Sequence, residues 1–251
     1  MMRFIRFELD GKTAWGELDA ETVRVLSGDI GSFAPTGRTV PFEGLRLLAP
    51  ATPGKILAVG LNYRSHLQGR PAPARPELFY KPPSALVGPD ARILLPPDAT
   101  DAHFEGELVV VMGKRARDVA PDEALGCIFG YTLGNDVSER QWQANDRQWW
   151  RAKGCDTFAP VGPWIVPSLE PGAVIRTRAS GEVLQEAPLS DLIFDVGHVV
   201  SYASRYLTLE AGDLIFTGTP GHTRAMRPGE TIEVEVTGLG TLRNPVERLG
   251  D

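Results

Sequence analysis

Two glutamates, Glu105 and Glu107, stand at the mouth of an unbroken apolar run, Leu108-Val109-Val110-Val111-Met112. A run of this kind, closed by Gly113, suits a strand covered on both faces. Along a strand, residues i and i+2 point to the same side. The two carboxylates therefore share a face, and burying them together raises the pKa of at least one. A chain that folds around this segment must leave that face to solvent or bring positive charge to it. A hard, oxygen-seeking divalent ion (Mg2+, Mn2+ or Ca2+) meets the second requirement. A solvated edge is the plainer alternative.

Turn-forming residues punctuate the rest. The 251 residues include 27 glycines and 21 prolines, well above the usual share. Short strands are expected almost throughout, giving a mixed α/β, β-rich chain rather than alternating strand–helix units. "MRFIRFEL", "KTAWGEL" and "TVRVLSG" read as three strands of a small N-terminal unit, residues 1–50, followed by a loop over "SFAPTGRTVPFEG". The proline-rich "LLAPATPGK" marks a boundary, with a larger unit over 51–251. There, "KILAVGLNY", "FEGELVVVMG", "GYTLGND" and "GDLIFTGTPG" carry strand patterns, and "ETIEVEVTG" with "TLRNPVE" predicts a hairpin about Gly238-Leu239-Gly240. The best helix is "SDLIFDVGHVVSYASRYL". Leu192, Ile193, Val196, Val199, Val200 and Ala203 share one face, with Ser190 or Asp191 as the cap.

A net charge of −6 argues against a nucleic-acid surface. No run approaches the ~20 apolar residues of a membrane span, and the start has no signal-peptide core. Cys127 and Cys155 form no CxxC, and Cys155 reads as packing; a reducing, cytoplasmic setting is expected.

Asp136 ends the "GYTLGND" strand. With Glu139 it fits a D-x-x-E capping box, and beside Asn135 it equally fits a metal corner. Three acids with a doubly charged ion leave one negative charge, and a chelating keto substrate completes the shell. His66 lies just past a strand, where a general base can sit. His198 reads as structural, His222 as a loop residue, and His103 receives no role. Only five of the 26 basic residues are lysines, so Lys81 and Lys153 stand out. Lys153, followed by Gly154, can approach a substrate carboxylate or enolate. "TGTPG" lacks the ending of a phosphate loop and offers backbone N–H groups and the Thr219 hydroxyl to a carboxylate.

In order and spacing, "GLNYRSH", "FYKPPSALVG", "HFEGELVVVMGKRARDV", "GYTLGNDVSERQWQ", "RAKGCDTFAPVGPWIV" and "GDLIFTGTPG" resemble the fumarylacetoacetate hydrolase family, most closely its short bacterial-type members. The resemblance spans residues 55–248. It implies a β-roll preceded by a small N-terminal domain, and a homodimer. Glu105, Glu107 and Asp136 match the family's metal-binding acids, loaded with Mg2+ or Mn2+ and sometimes Ca2+. Lys153 matches the lysine that stabilises developing negative charge, and His66 the base toward water. Arg140, Gln143 and Thr219 match substrate-holding positions, and Lys81 a lysine near the pocket.

The implied activity runs through a metal-bound enolate of a small 2-keto or dicarboxylic acid, first of the 2-hydroxyhepta-2,4-diene-1,7-dioate isomerase type. Acylpyruvate hydrolysis and oxaloacetate decarboxylation are the alternatives within the family. A metal-stabilised binding protein without turnover is the alternative outside it. One departure stands out: several family members pair the histidine with a glutamate three residues on, or in the hydrolase branch with one from a C-terminal strand, whereas this chain reads His66-Leu67-Gln68-Gly69. Glu233, by rough position, is the expected substitute partner. "QGRPAPARPE" is the expected lid and selector of the substrate's far end.

Overall fold

The computed structural model describes residues 2–67 and 69–250. Among these, twelve strands form one open, twisted sheet. Its main order runs Ala34–Pro41, Thr22–Ser27, Lys12–Asp19, Arg3–Leu9, Ala159–Val166, Ile128–Asn135, Gly106–Met112, Leu214–Phe216, Ile56–Gly60, Glu77–Lys81. The N-terminal strands continue the sheet of the larger part through the pairing of Phe4 with Ile165. A second, five-stranded sheet comprises Glu182–Pro188, Val174–Ala179, Thr231–Val236, Gly240–Arg248 and Ile93–Leu95. The hairpin about Gly238 to Gly240 forms as expected, with Val236 opposite Gly240.

All seven residues of Gly106–Met112 are buried. The strand pairs antiparallel with Ile128–Asn135 on one side and Leu214–Phe216 on the other. One of its faces packs Val109 and Val111 against Ala58, Val161 and Phe216. The other packs Val110 and Met112 against Leu57, Ile215 and the helix residues Val199, Val200 and Ala203. Burial on both faces explains the unalternating apolar run.

Two local expectations are corrected. Residues Ala34–Pro41, expected within a loop, form an edge strand on Thr22–Ser27. Seven of its eight residues are exposed, so it has no apolar alternation to reveal it, and its prolines are tolerated at a sheet edge. The helix begins later than expected, spanning Val196–Tyr206. Its cap is neither Ser190 nor Asp191 but Asp195, whose carboxylate accepts the His198 N–H at 2.8 Å. Leu192 and Ile193 precede the helix because Asn62 captures their stretch of backbone. The Asn62 carbonyl accepts from Ile193 N–H at 2.9 Å, and its side chain exchanges hydrogen bonds with Phe194 N–H (2.8 Å) and C=O (3.0 Å). Tertiary hydrogen bonds here override helical periodicity.

Asn62 is fully buried and also donates to Thr217 C=O at 2.8 Å, so it ties the end of one central strand to the approach of the helix and to the loop after another. Removing it orphans several buried backbone groups. Asn62→Ala should lower unfolding stability by about 3 kcal/mol in urea titrations. A change below about 1 kcal/mol would show that these groups find other partners.

Candidate active site

Glu105, Glu107 and Asp136 converge: one oxygen from each lies within 4.8 Å of the others, and all three residues are buried. The antiparallel pairing of Gly106 with Asn135 brings the two acid-bearing segments together. Their backbones lock through Asp136 N–H to Glu105 C=O (2.8 Å), while Glu105 N–H donates to the Asn135 side chain (2.9 Å). Asp136 is not the helix cap: the following helix, Arg140–Asn145, is capped by Glu139 accepting from Trp142 N–H.

Cations interleave the acids. Lys153 Nζ, at the end of the helix Trp150–Gly154, donates to Glu105 Oε2 (2.6 Å) and Asp136 Oδ2 (2.7 Å). Arg140 Nη2 donates to Glu105 Oε1 at 2.5 Å. Lys81 Nζ donates to Asp136 Oδ1 at 2.6 Å and to the carbonyls of Val137 and Lys153. Three acceptors need three N–H groups, so Lys81 is an ammonium. Burial lowers its pKa, and the Asp136 charge opposes the shift.

The acids differ sharply. Burial would raise Glu105, but the Lys153 and Arg140 charges prevail and hold its carboxyl well below the usual range. Glu107 goes the other way: burial, then the charges of Asp136 and Glu105, push its carboxyl well above the ordinary value. Its Oε2 accepts Gly218 N–H at 2.6 Å, and no Lys or Arg nitrogen lies within 4 Å of it among the described residues. Gly218 must be glycine there: its φ is +99°, and a Cβ would sit 2.8 Å from that of Asn62. Lys153 is shifted upward, because Asp136 and Glu105 outweigh its burial.

Glu105, Glu107, Asp136, Lys153, Arg140, Gln143, Thr219 and His66 all line one inner cavity of about 70 Å³. It opens onto an outer chamber of about 500 Å³ that shares Leu61, His66, Arg140 and Gln143 and adds Arg70, His103, His222 and Thr223. Phe79 and Trp149 form an aromatic wall of the inner cavity, ring centroids 5.3 Å apart, with Lys153 Nζ 4.9 Å from the Phe79 ring centre. A larger groove of about 840 Å³ between Phe42–Ala49 and Pro83–Ala91 holds none of these side chains. Size alone does not mark the chemistry.

Lys81 is the one expected site residue outside the cavity lining; it stands behind Asp136. The Thr219 hydroxyl is already committed, donating to Gly106 C=O (2.9 Å) and accepting from Gln185 Nε2 (2.9 Å). His66 Nδ1 lies 2.6 Å from Gly221 C=O. Glu233 is not its partner: it pairs with Arg243 at 3.0 Å, cross-strand on the second sheet. Gln68, part of the expected lid, lies outside the described residues. His198 stacks on Phe194, and burial raises the Cys155 thiol, in line with structural roles.

Sequence reasoning missed Gln185, His103, Thr223, Phe79 and Trp149. For Gln185 a signal existed: it is buried in phase with Ala187 on its strand, at a position where an apolar residue is expected.

A buried acidic triad laced with lysines, on a β-rich scaffold of open sheets, is a site that could hold a metal ion. Residues 55–247 match the fumarylacetoacetate (FAA) hydrolase C-terminal family and residues 2–50 the Rv2993c-like N-terminal family, and the chain belongs to the fumarylacetoacetate hydrolase family. It is 45% identical over 250 residues to Protein Rv2993c of Mycobacterium tuberculosis, covering 96% of this chain and 93% of that one. It is 36% identical to the 2,4-didehydro-3-deoxy-L-rhamnonate hydrolase of a Sphingomonas species, covering 100% and 99%. The crystal structure of 2-hydroxyhepta-2,4-diene-1,7-dioate isomerase from Mycobacterium marinum superposes with a TM-score of 0.93 at 42% identity, covering both chains fully. No helix among the described residues is long and apolar enough to cross a membrane.

Lys81 offers a direct test of the charge lacing. Lys81→Met keeps the length but strips a buried carboxylate of one partner, and should cost about 3 kcal/mol of stability in chemical denaturation. A loss below about 1 kcal/mol would mean that Lys153 alone suffices for Asp136.

Proposed function

We propose that this chain is a divalent-metal-dependent enzyme that moves protons on a small 2-keto acid, of the 2-hydroxyhepta-2,4-diene-1,7-dioate isomerase type. The observation that carries the reading is the convergence of Glu105, Glu107 and Asp136, with Glu107 lacking a close cation. The donor set fits Mg2+ or Mn2+, with Ca2+ admissible: three carboxylate oxygens, no sulfur, no imidazole. When bound, such an ion supplies positive charge to the keto and carboxylate oxygens of the substrate and favours its enol form.

The remaining work belongs to the chain. Lys81, Lys153 and Arg140 offset the three acids one for one, so an added cation leaves a positive surplus that suits a dianionic substrate. Lys153 has a third N–H to aim into the cavity, toward the oxygen that turns negative as the α-proton leaves. Arg140 and Gln143 hold the substrate carboxylate. A carbonyl only accepts, so His66 donates its Nδ1–H to Gly221, and in the neutral ring the Nε2 lone pair faces the task of taking a proton from carbon and returning it. Phe79 and Trp149 give a flat, conjugated substrate a surface to lie on.

Isomerisation is favoured over hydrolysis because His66 is backed by a carbonyl and Gly69 stands where a carboxylate is expected. The Mycobacterium marinum isomerase supports this reading, and the Sphingomonas hydrolase keeps hydrolysis as the second one.

Two measurements test the site. Because burial and the neighbouring acids hold the Glu107 carboxyl above its ordinary range, and a cation binds the ionised form, Mn2+ affinity of the ion-free protein should fall as pH is lowered, seen by calorimetry across a pH series. Glu107→Gln should abolish both uptake and turnover, and a Mn2+ affinity independent of pH would refute the raised Glu107. Separately, turnover of a hydroxydienoate, acetylpyruvate and oxaloacetate can be followed by absorbance with Mg2+. His66→Ala should slow hydroxydienoate isomerisation by about a hundredfold or more and largely spare oxaloacetate decarboxylation. Equal losses on both would remove His66 from proton transfer, and no wild-type turnover on any substrate would favour a binding protein.

A further inference from the structure

Arg140 lines both chambers, and its guanidinium is tethered from several directions. Nη2 donates to Glu105 Oε1 (2.5 Å) and to Thr223 Oγ1 (3.1 Å), and Nη1 donates to Gln143 Oε1 (2.7 Å). The Thr223 contact continues outward. Its hydroxyl meets His103 Nδ1 at 2.8 Å, and His103 Nε2 meets Asp101 Oδ1 at 2.9 Å. The proton pattern follows from the ends. An ionised carboxylate only accepts, so Nε2 carries the ring hydrogen and Nδ1 accepts from Thr223. The Thr223 hydroxyl thereby spends its one hydrogen on His103 and turns a lone pair to Arg140.

The backbone reinforces the same chain. Asp101 C=O accepts Arg140 N–H at 3.0 Å, and Asp101 N–H donates to Glu139 Oε1 at 2.7 Å. Ala102–His103 pairs with Ser138–Glu139, and His103 bridges to Ala225. His103 thus fastens together the segments that carry Glu105, Arg140 and Thr219. Nothing in this arrangement is needed merely to neutralise Arg140, which Glu105 already does. What it adds is direction. With both Nη2 hydrogens and one on Nη1 committed among the described residues, Nε–H and the second Nη1 hydrogen, which point to different sides of the guanidinium, are left as single donors for a ligand oxygen.

We propose that Asp101, His103 and Thr223 are positioning residues that preset the Arg140 guanidinium to receive a carboxylate of the keto acid. This rests on the reading of Arg140 as a substrate-holding residue. An unrestrained arginine gives up rotamer freedom when it binds; one already held by its neighbours does not, and the difference appears as affinity.

The test uses the full chain at saturating Mn2+, with oxalate as probe and calorimetry as readout. Thr223→Val keeps the side-chain shape and removes the hydroxyl, and should weaken oxalate binding roughly tenfold. Thr223→Ser keeps the hydroxyl and should stay within about threefold of wild type. In an Arg140→Met background, Thr223→Val should cost nothing further, because its effect passes through the guanidinium. Wild-type affinity in Thr223→Val overturns the proposal, as does an undiminished loss in the Arg140→Met background, which would mark Thr223 as a general structural prop. Failure of the underlying reading looks different: Arg140→Met would then itself bind oxalate like wild type, and the proposal falls with it.

Discussion

Lys153 lies between Glu105 and Asp136 with 2.6 and 2.7 Å contacts, and the architecture of the site depends on that wedge. Two carboxylates brought this close and cut off from water repel strongly. One ammonium between them, a second behind Asp136 and a guanidinium on Glu105 turn the repulsion into a lattice of alternating charge. A buried lattice of this kind gains little net stability over an apolar core of the same shape, because desolvation offsets much of the attraction. Its value lies in specification. Each carboxylate oxygen with a cation beside it is fixed in direction, and the acid without one, Glu107, is left as the place where further positive charge is most favourable.

The protein holds this lattice by backbone and amide groups more than by apolar packing at the site itself. Gly218 N–H grips Glu107, Asn62 grips the carbonyl of Thr217, and Gln185 reaches from the second sheet to Thr219 and Gly106. Gly106, between the two glutamates, faces away from the acids toward Thr177, where a side chain of any size would collide. The alternation of the strand thus serves two layers: acids on one side, close approach of the five-stranded sheet on the other. The second sheet supports the site from behind: Gln185 holds Thr219, which lines the inner cavity.

The acid cluster was legible because its signal is local. Glu105 and Glu107 obey the two-residue period of a strand, and Asp136 sits where the partnering strand runs out. The continuous apolar strands and the Gly238 hairpin were legible for the same reason. What was hidden was hidden by distance along the chain. Asn62 finds Phe194 and Thr217, and His103 finds Thr223, across more than a hundred residues. Nothing near His103 distinguishes it from a surface histidine. Residues Ala34–Pro41 carried no pattern because they bury almost nothing. The start of the helix was misplaced because a buried amide competes for its backbone, a force absent from periodicity. The role of Lys81 was half legible: its rarity marks it, but only the fold shows that it serves Asp136 rather than the cavity.

The partner of His66 bears most directly on the kind of chemistry this scaffold supports. A carbonyl orients an imidazole and fixes its tautomer as well as a carboxylate does, but it adds no full negative charge to balance an imidazolium. Generating a hydroxide-like nucleophile asks the histidine to hold a proton while charge builds on an attacking oxygen. Passing a proton from carbon to the far end of a conjugated enol asks for less, because the histidine gives the proton back to the same molecule. The Gly221 carbonyl at 2.6 Å, with glycine at position 69, supports the second task, the one proposed for this chain. On that proposal the electrostatic burden falls on Lys153 and on a cation that the three acids would hold, where the fold has concentrated its buried charge.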